Sequence, residues 1–347
     1  MSHSERFGPM EAELADREGR VLSLSILGTD EPAGIYRRLE GLCVTGGLSA
    51  PERVFFFEIS VGAAFGLLLE DGSRVVLKAH PAGRNVDFLE ASCRVQRHLF
   101  ERGFPCPRPI LDPAPFGEGY ATVEAFEDRG ELADAHEPWA RHEMAGTLAR
   151  LIQQASEVPD VDGLRLDWTW PEERLWPSPH NALFDFEATT AGAGWIEGVA
   201  ASAKRVVDAS TGPVVVGHGD WSVKHFRFEN GEVSVVYDWD SLRLAREAII
   251  VGSAAATFPA TWYLPVASLA PRPEEMRLFL EEYQAARGPS FSSAEREAVV
   301  AAALYAMAYI SRCEHAIDPE GEDLAGGFRE ALRGREYEYL RLAAGPG

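Results

Sequence analysis

Two short acidic clusters stand out in the chain, His218-Gly219-Asp220 and Asp238-Trp239-Asp240, joined by WSVKHFRFENGEVSVVY. Asn230-Gly231 within the joining stretch is a strong signal for a two-residue hairpin. The residues around it alternate, with Phe226 and Phe228 on one arm and Val233 and Val235 on the other. A fold-back there holds the Asp220 loop and Asp238 at one end of a ribbon. Phosphoryl transfer needs such a pair of carboxylates, one to orient an attacking hydroxyl and one to hold the metal that carries the nucleotide phosphates.

Positive charge is distributed just as selectively. The chain has three lysines, Lys78, Lys204 and Lys224, against thirty arginines. Lys224 follows Asp220 by four residues, where a compact ammonium could neutralise a transferring phosphate. Lys78 ends the apolar run Val75-Val76-Leu77, directly before a turn and a helix. Upstream, Val61-Gly62-Ala63-Ala64-Phe65-Gly66 lies between two strand candidates, and its backbone amides could cradle phosphates or make a plain hairpin turn.

These residues need a scaffold, and the hydrophobic periodicity supplies one. Residues 1–50 read as a polar leader with a helix near Ala33 to Cys43, an N-terminal extension. Strands are expected at 54–59, at 66–70 and, past the Asp71-Gly72 turn, at 74–78. A helix over 85–102 stops at Gly103 and the prolines at 105, 107 and 109. Tyr120 to Phe126 reads as a further strand and residues 127–130 as a hinge. Beyond the hinge, helices are expected at 138–156, 193–209, 274–286, 294–313 and 323–344, with Ser292 and Glu295 in capping-box register. The plan is α+β and bilobal: a β-rich N-lobe at 51–127 and a larger helical C-lobe at 128–347 that carries the catalytic loop.

With HGD, the short loop, the NG hairpin and the strand ending Tyr237-Asp238-Trp239 in this order, the segment resembles the catalytic core of the aminoglycoside phosphotransferase and choline kinase-like group, relatives of the protein kinases. The resemblance implies a protein-kinase-like fold, with Asp220 as the catalytic carboxylate and Asp238 as the principal Mg²⁺ ligand. It gives Lys78 the α- and β-phosphates of the nucleotide, ATP or GTP. It also gives Lys78 a glutamate partner on the following helix, for which Glu90 is the nearest candidate, although counting back from Gly103 points closer to Ser92. Adenine contacts are expected from the backbone between Val123, Ala125 and Phe126. The family's second metal ligand is an Asn, and His225 stands at that position. Imidazole suits Mn²⁺ better than Mg²⁺, so His225 is expected to bind metal, to contact a phosphate or to weaken the second site. Acidic residues that often follow in the family are largely replaced here by Arg246-Glu247-Ala248-Ile249-Ile250.

The acceptor side is read from composition. Trp168, Trp170, Trp176, His180, Phe184 and Phe186 interleave with Asp167, Glu172, Glu173 and Asp185, a mixture that suits a cationic or sugar-like acceptor or simply a packed lobe. Trp176, His180, Asp185 and Asp240 are the expected acceptor contacts. The net charge of −21 opposes nucleic acid and anionic lipid and favours a cationic small molecule. Aminoglycoside-like compounds, macrolides and small amino alcohols are the candidate acceptors, with a catalytically weak nucleotide-binding regulator as the alternative. Cys43, Cys93, Cys106 and Cys313 show no disulfide or zinc spacing. The absence of a secretory pattern at the N-terminus, and of any apolar run longer than the 298–310 stretch, leads to the expectation of a cytoplasmic protein.

Overall fold

Residues 51–80 and 109–125 form a five-stranded sheet in a computed structural model of the chain. The structure describes residues 3–165, 170–171, 173–179 and 183–344. Three helices come first, α1 (His3–Glu13), α2 (Arg17–Leu27) and α3 (Pro32–Thr45). They precede strands β1 (Pro51–Ile59), β2 (Ala63–Leu69) and β3 (Arg74–His80), helix α4 (Val86–Glu101), and strands β4 (Pro109–Phe116) and β5 (Gly119–Ala125). The antiparallel sheet runs β1-β2-β3-β5-β4.

One face of the sheet buries Phe65, Leu67, Val75, Leu77 and Val123 against Phe7, Met10, Ile35 and Leu39 of α1 and α3. The residues expected as an extension therefore share the core of the sheet, each large side chain contributing about 1.5–3 kcal/mol on full burial. The opposite face carries Val76 and Lys78 on β3 beside Thr122 and Glu124 on β5. Strand β4 was hidden in the sequence by Pro109, Pro113 and Pro115. Its edge position explains why they are tolerated, since an edge strand can lack donors on its outer side.

By contact the chain divides into two units, Met1–Phe100 with Pro107–Asp128, and Glu101–Cys106 with Arg129–Gly347. The second is built on helices α5 (Pro138–Ala155) and α6 (Gly194–Ala209). Four short strands follow, β6 (Val214–His218), β7 (Phe226–Glu229), β8 (Glu232–Val236) and β9 (Leu242–Arg246). Helices α7 (Glu247–Thr257), α8 (Pro273–Arg287) and α9 (Ser293–Ile317) come next. The Ser292 capping box forms as expected: Ser292 Oγ accepts from Glu295 N at 3.3 Å, and Glu295 Oε2 accepts from Ser292 N at 2.8 Å. The helix expected over 323–344 is instead two five-residue helices, α10 (Phe328–Leu332) and α11 (Glu336–Leu340), broken at Gly334 with φ 69°. All four cysteines are buried and none forms a disulfide. Among the described residues no helix is long and apolar enough to cross a membrane.

His136 ties the start of this unit to α8. Its Nδ1 lies 3.0 Å from Glu275 Oε1 and its Nε2 2.9 Å from the Ser268 carbonyl, so both ring nitrogens face acceptors and the doubly protonated ring satisfies both. The bond to Glu275 outweighs burial and raises the His136 pKa. On Glu275, burial pushes upward, but hydrogen bonds from His136 and Arg272 hold the carboxyl down to about 2. A raised imidazole pKa stabilises the fold below the unfolded value and loses that contribution as pH climbs through the folded value. Chemical denaturation is expected to show stability falling between about pH 6 and 8, with the slope flattened in His136→Gln. The same slope in both proteins would refute this.

Candidate active site

Two antiparallel ribbons, rather than one long hairpin, frame the acidic clusters. Strand β6 pairs with β9, His218 opposite Leu242, and β7 pairs with β8 around Asn230-Gly231, whose φ angles of 54° and 83° suit a tight primed turn. Residues 219–225 connect β6 to β7, and residues 237–241 connect β8 to β9. Backbone bonds stitch these connections together: Gly219 N donates to Ser241 O at 2.7 Å and Tyr237 N to His225 O at 2.9 Å. Two buried indoles hold them from below, Trp221 Nε1 donating to Met144 O on α5 and Trp239 Nε1 to Val236 O. Val223 N donates to Phe258 O at the end of α7. His218 is buried, accepts from Asp220 N at Nδ1 and therefore donates from Nε2 to Tyr237 O at 3.1 Å. Burial lowers its pKa and keeps it neutral.

Asp220 stands at the centre of these contacts. Its Oδ2 lies 2.8 Å from Lys224 Nζ and 3.0 Å from His225 Nε2, and its Oδ1 accepts from Ser222 Oγ at 2.7 Å. The side chain is 35% open to solvent and otherwise enclosed by protein atoms. That burial would raise its pKa, but the charges of Lys224 and His225 and their hydrogen bonds hold it well below the usual carboxylate range. The group is thus an ionised acceptor at neutral pH. Lys224 is also 4.2 Å from the centroid of the Trp262 ring, a side chain 66% exposed with Tyr263 beside it.

Asp238 takes a left-handed backbone conformation, φ 68° and ψ 48°, and accepts from Ser241 Oγ at Oδ2. Its Oδ2 is 3.7 Å from His225 Nε2. Ligand atoms of Asp220, His225 and Asp238 all lie within 4.8 Å of one another, so two carboxylates and an imidazole fit a divalent ion. His225 faces a choice, because its Nε2 hydrogen is given to Asp220. To hold a metal through Nε2 it must release that bond.

In the first unit, Lys78 pairs with Glu124 Oε1 at 3.4 Å, while the expected partner Glu90 lies on the exposed face of α4. The reason is register: Val76 is opposite Glu124 on the adjoining strand, which sets Glu124 diagonally beside Lys78. In the segment expected to meet adenine, the amides of Ala125 and Phe126 donate to Arg108 O and Arg74 O, and Val123 lies between β3 and β4. The connection holding Gly62 is a three-residue turn, with Ile59 opposite Ala63. A Cβ on Gly62 would come within 2.9 Å of Ala79 O, so close packing also explains that glycine.

The residues expected on the acceptor side separate. His180, with Trp168, Asp167 and Glu172, lies outside the described residues. Trp176 packs on Tyr305 at 5.5 Å and on Phe186 and Tyr309 at 6.0 Å, so it belongs to the cluster that covers α9. Asp185 is exposed and caps its own turn, accepting from Glu187 N and Ala188 N. Asp240 is half-buried in the turn Trp239–Ser241. Trp262, Ser222, Ser241 and Glu124 were not picked out from sequence. Of these only Glu124 left a trace, as a lone acid inside an apolar strand.

A family model described as the phosphotransferase enzyme family matches residues 58–279. The chain belongs to that family. No curated protein matches the sequence. Solved structures with the same fold include amicoumacin kinase in complex with AMP-PNP, Ca²⁺ and Ami, at 13% identity and TM-score 0.57, covering 90% of this chain and 96% of that one. A putative aminoglycoside phosphotransferase from Ralstonia eutropha JMP134 aligns at 15% identity and TM-score 0.55, covering 89% and 98%. Spectinomycin phosphotransferase with ADP and spectinomycin aligns at 12% and 0.51, covering 89% and 97%. The protein-kinase-like α+β fold is common to all of them.

Gly217 shows how tightly the phosphotransferase loop is seated. A Cβ there would lie 2.3 Å from Ile250 Cγ2 on α7. Gly217→Ala is expected to destabilise the fold by about 1–3 kcal/mol through overpacking. Turnover should fall too, because His218 and Asp220 follow directly. An unchanged denaturation midpoint would contradict this packing.

Proposed function

We propose that the chain moves the γ-phosphate of ATP or GTP onto a hydroxyl of a small molecule, with an amine-bearing, aminoglycoside-like acceptor as the leading class. The observation that carries the reading is the ionised Asp220 carboxylate, held by Lys224 and His225 next to Asp238. Asp220 orients the acceptor hydroxyl through a hydrogen bond and takes its proton late, since in a loose transition state little O–P bond has formed and the attacking oxygen gains the positive charge that acidifies its proton only as that bond completes. Lys224 offsets charge on the transferring group. Lys78 is assigned to the nucleotide phosphates. Asp238 and His225 are the residues that would hold Mg²⁺ or Mn²⁺, and that ion would supply positive charge to the phosphates. The amine-bearing acceptor is favoured by the −21 charge and by the exposed Trp262 and Tyr263 next to Lys224.

The deciding measurement is release of ADP or GDP across a panel of aminoglycosides, macrolides and amino alcohols, with Asp220→Ala as the blank. Asp220→Ala should fold and still be stabilised by nucleotide but turn over at least ~100-fold more slowly. Wild-type turnover in that variant, or nucleotide stabilisation without transfer to any acceptor, would overturn the reading. For His225, the Mn²⁺ to Mg²⁺ activity ratio should be higher in the wild type than in His225→Asn, because imidazole suits the softer ion. Equal ratios would remove the ligand role.

A further inference from the structure

We propose that Glu124 on β5, rather than Glu90 of α4, is the carboxylate that positions Lys78. This rests on the assignment of Lys78 to the nucleotide phosphates. Lys78 and Glu124 stand 3.4 Å apart with side chains only 17% and 9% exposed. Burying a charge without a counter-charge is costly, so each of the two stabilises the other. Glu124 is in turn held by α4, where Gln96 Nε2 donates to Glu124 Oε2 and to Pro107 O, both at 2.9 Å. The helix therefore contributes a neutral amide, not a carboxylate. Ser92, one turn before Gln96 and on the same helix face, is buried, and its hydroxyl has no hydrogen-bond partner. Glu90 is exposed.

The relocation has a mechanical meaning. A carboxylate carried by a helix reaches its lysine only when that helix is correctly docked, which lets helix movement switch the site. Strand β5 is hydrogen-bonded on both sides, to β3 and β4, and β3 carries the lysine itself. Lys78 and Glu124 thus move as one body, and displacement of α4 would cost the pair the Gln96 hydrogen bond without separating the two charges. Glu124 is a positioning residue acting through Lys78.

The test is steady-state kinetics of the full chain with Glu124→Gln, Lys78→Ala and the double variant. Glu124→Gln should raise nucleotide KM at least ~10-fold and leave acceptor KM within about twofold. The double variant should be no worse than Lys78→Ala alone, because an effect exerted through Lys78 has nothing left to act on. Nucleotide KM unchanged in Glu124→Gln while Lys78→Ala is impaired would overturn this proposal and leave the Lys78 assignment standing. Wild-type nucleotide KM in Lys78→Ala would overturn both. A further loss in the double variant would also overturn it, pointing to a structural role. If Glu124→Gln does not fold, Glu124→Asp carries the test, since it withdraws the charge by one methylene: a raised nucleotide KM supports the proposal and an unchanged one overturns it.

Discussion

An ionised carboxylate partly withdrawn from water needs positive and hydrogen-bonding groups to reach it, and Asp220 draws these from the five residues that follow it. Ser222, Lys224 and His225 can all turn back onto one carboxylate only if the chain coils sharply, and the single 3-10 turn over Val223–His225 does this. A turn that short has no stability of its own. Its shape is borrowed from α5 through Trp221, from the end of α7 through Val223, and from the β8–β9 connection through Gly219. Much of the second unit can be understood as a mould for seven residues.

The same crowding explains why His225 is the least ordinary member of the site. An Asn at that place would offer an oxygen to a metal and a donor to a neighbour at once, from different atoms. An imidazole nitrogen must choose. With its hydrogen on Asp220 it locks the carboxylate, and without it the nitrogen is a ligand, so Asp220's surroundings and the metal site are linked through one proton.

Legibility from the sequence followed the range of the interactions. The NG turn, the Ser292 capping box and the alternation of β1 to β3 are set by residues within a few positions of one another, and these came through. So did the order of Asp220 and Asp238, because the turn between them is local. Strand β4 did not, since its prolines argue against a strand until an edge position is known. Nor did the Lys78–Glu124 pair, which depends on the cross-strand register of β3 and β5, or the exposure of Trp262, which depends on what fails to cover it. The aromatic run ending at Phe186 reads equally well as a binding surface or a packed cluster, and for Trp176 its neighbours on α9 identify the cluster.

The shared core of α1, α3 and the sheet separates ancestry from autonomy. The stretch that matches the family opens at residue 58, inside β1, and closes at 279, inside α8. Neither point is a seam. A fragment cut to that stretch would bare the apolar face formed by Phe65, Leu67 and Leu77, lose most of β1, and lack α9 altogether. The inherited chemistry fits within the family's limits, but the object that folds is larger, and the first fifty residues belong to it as a lining belongs to a coat.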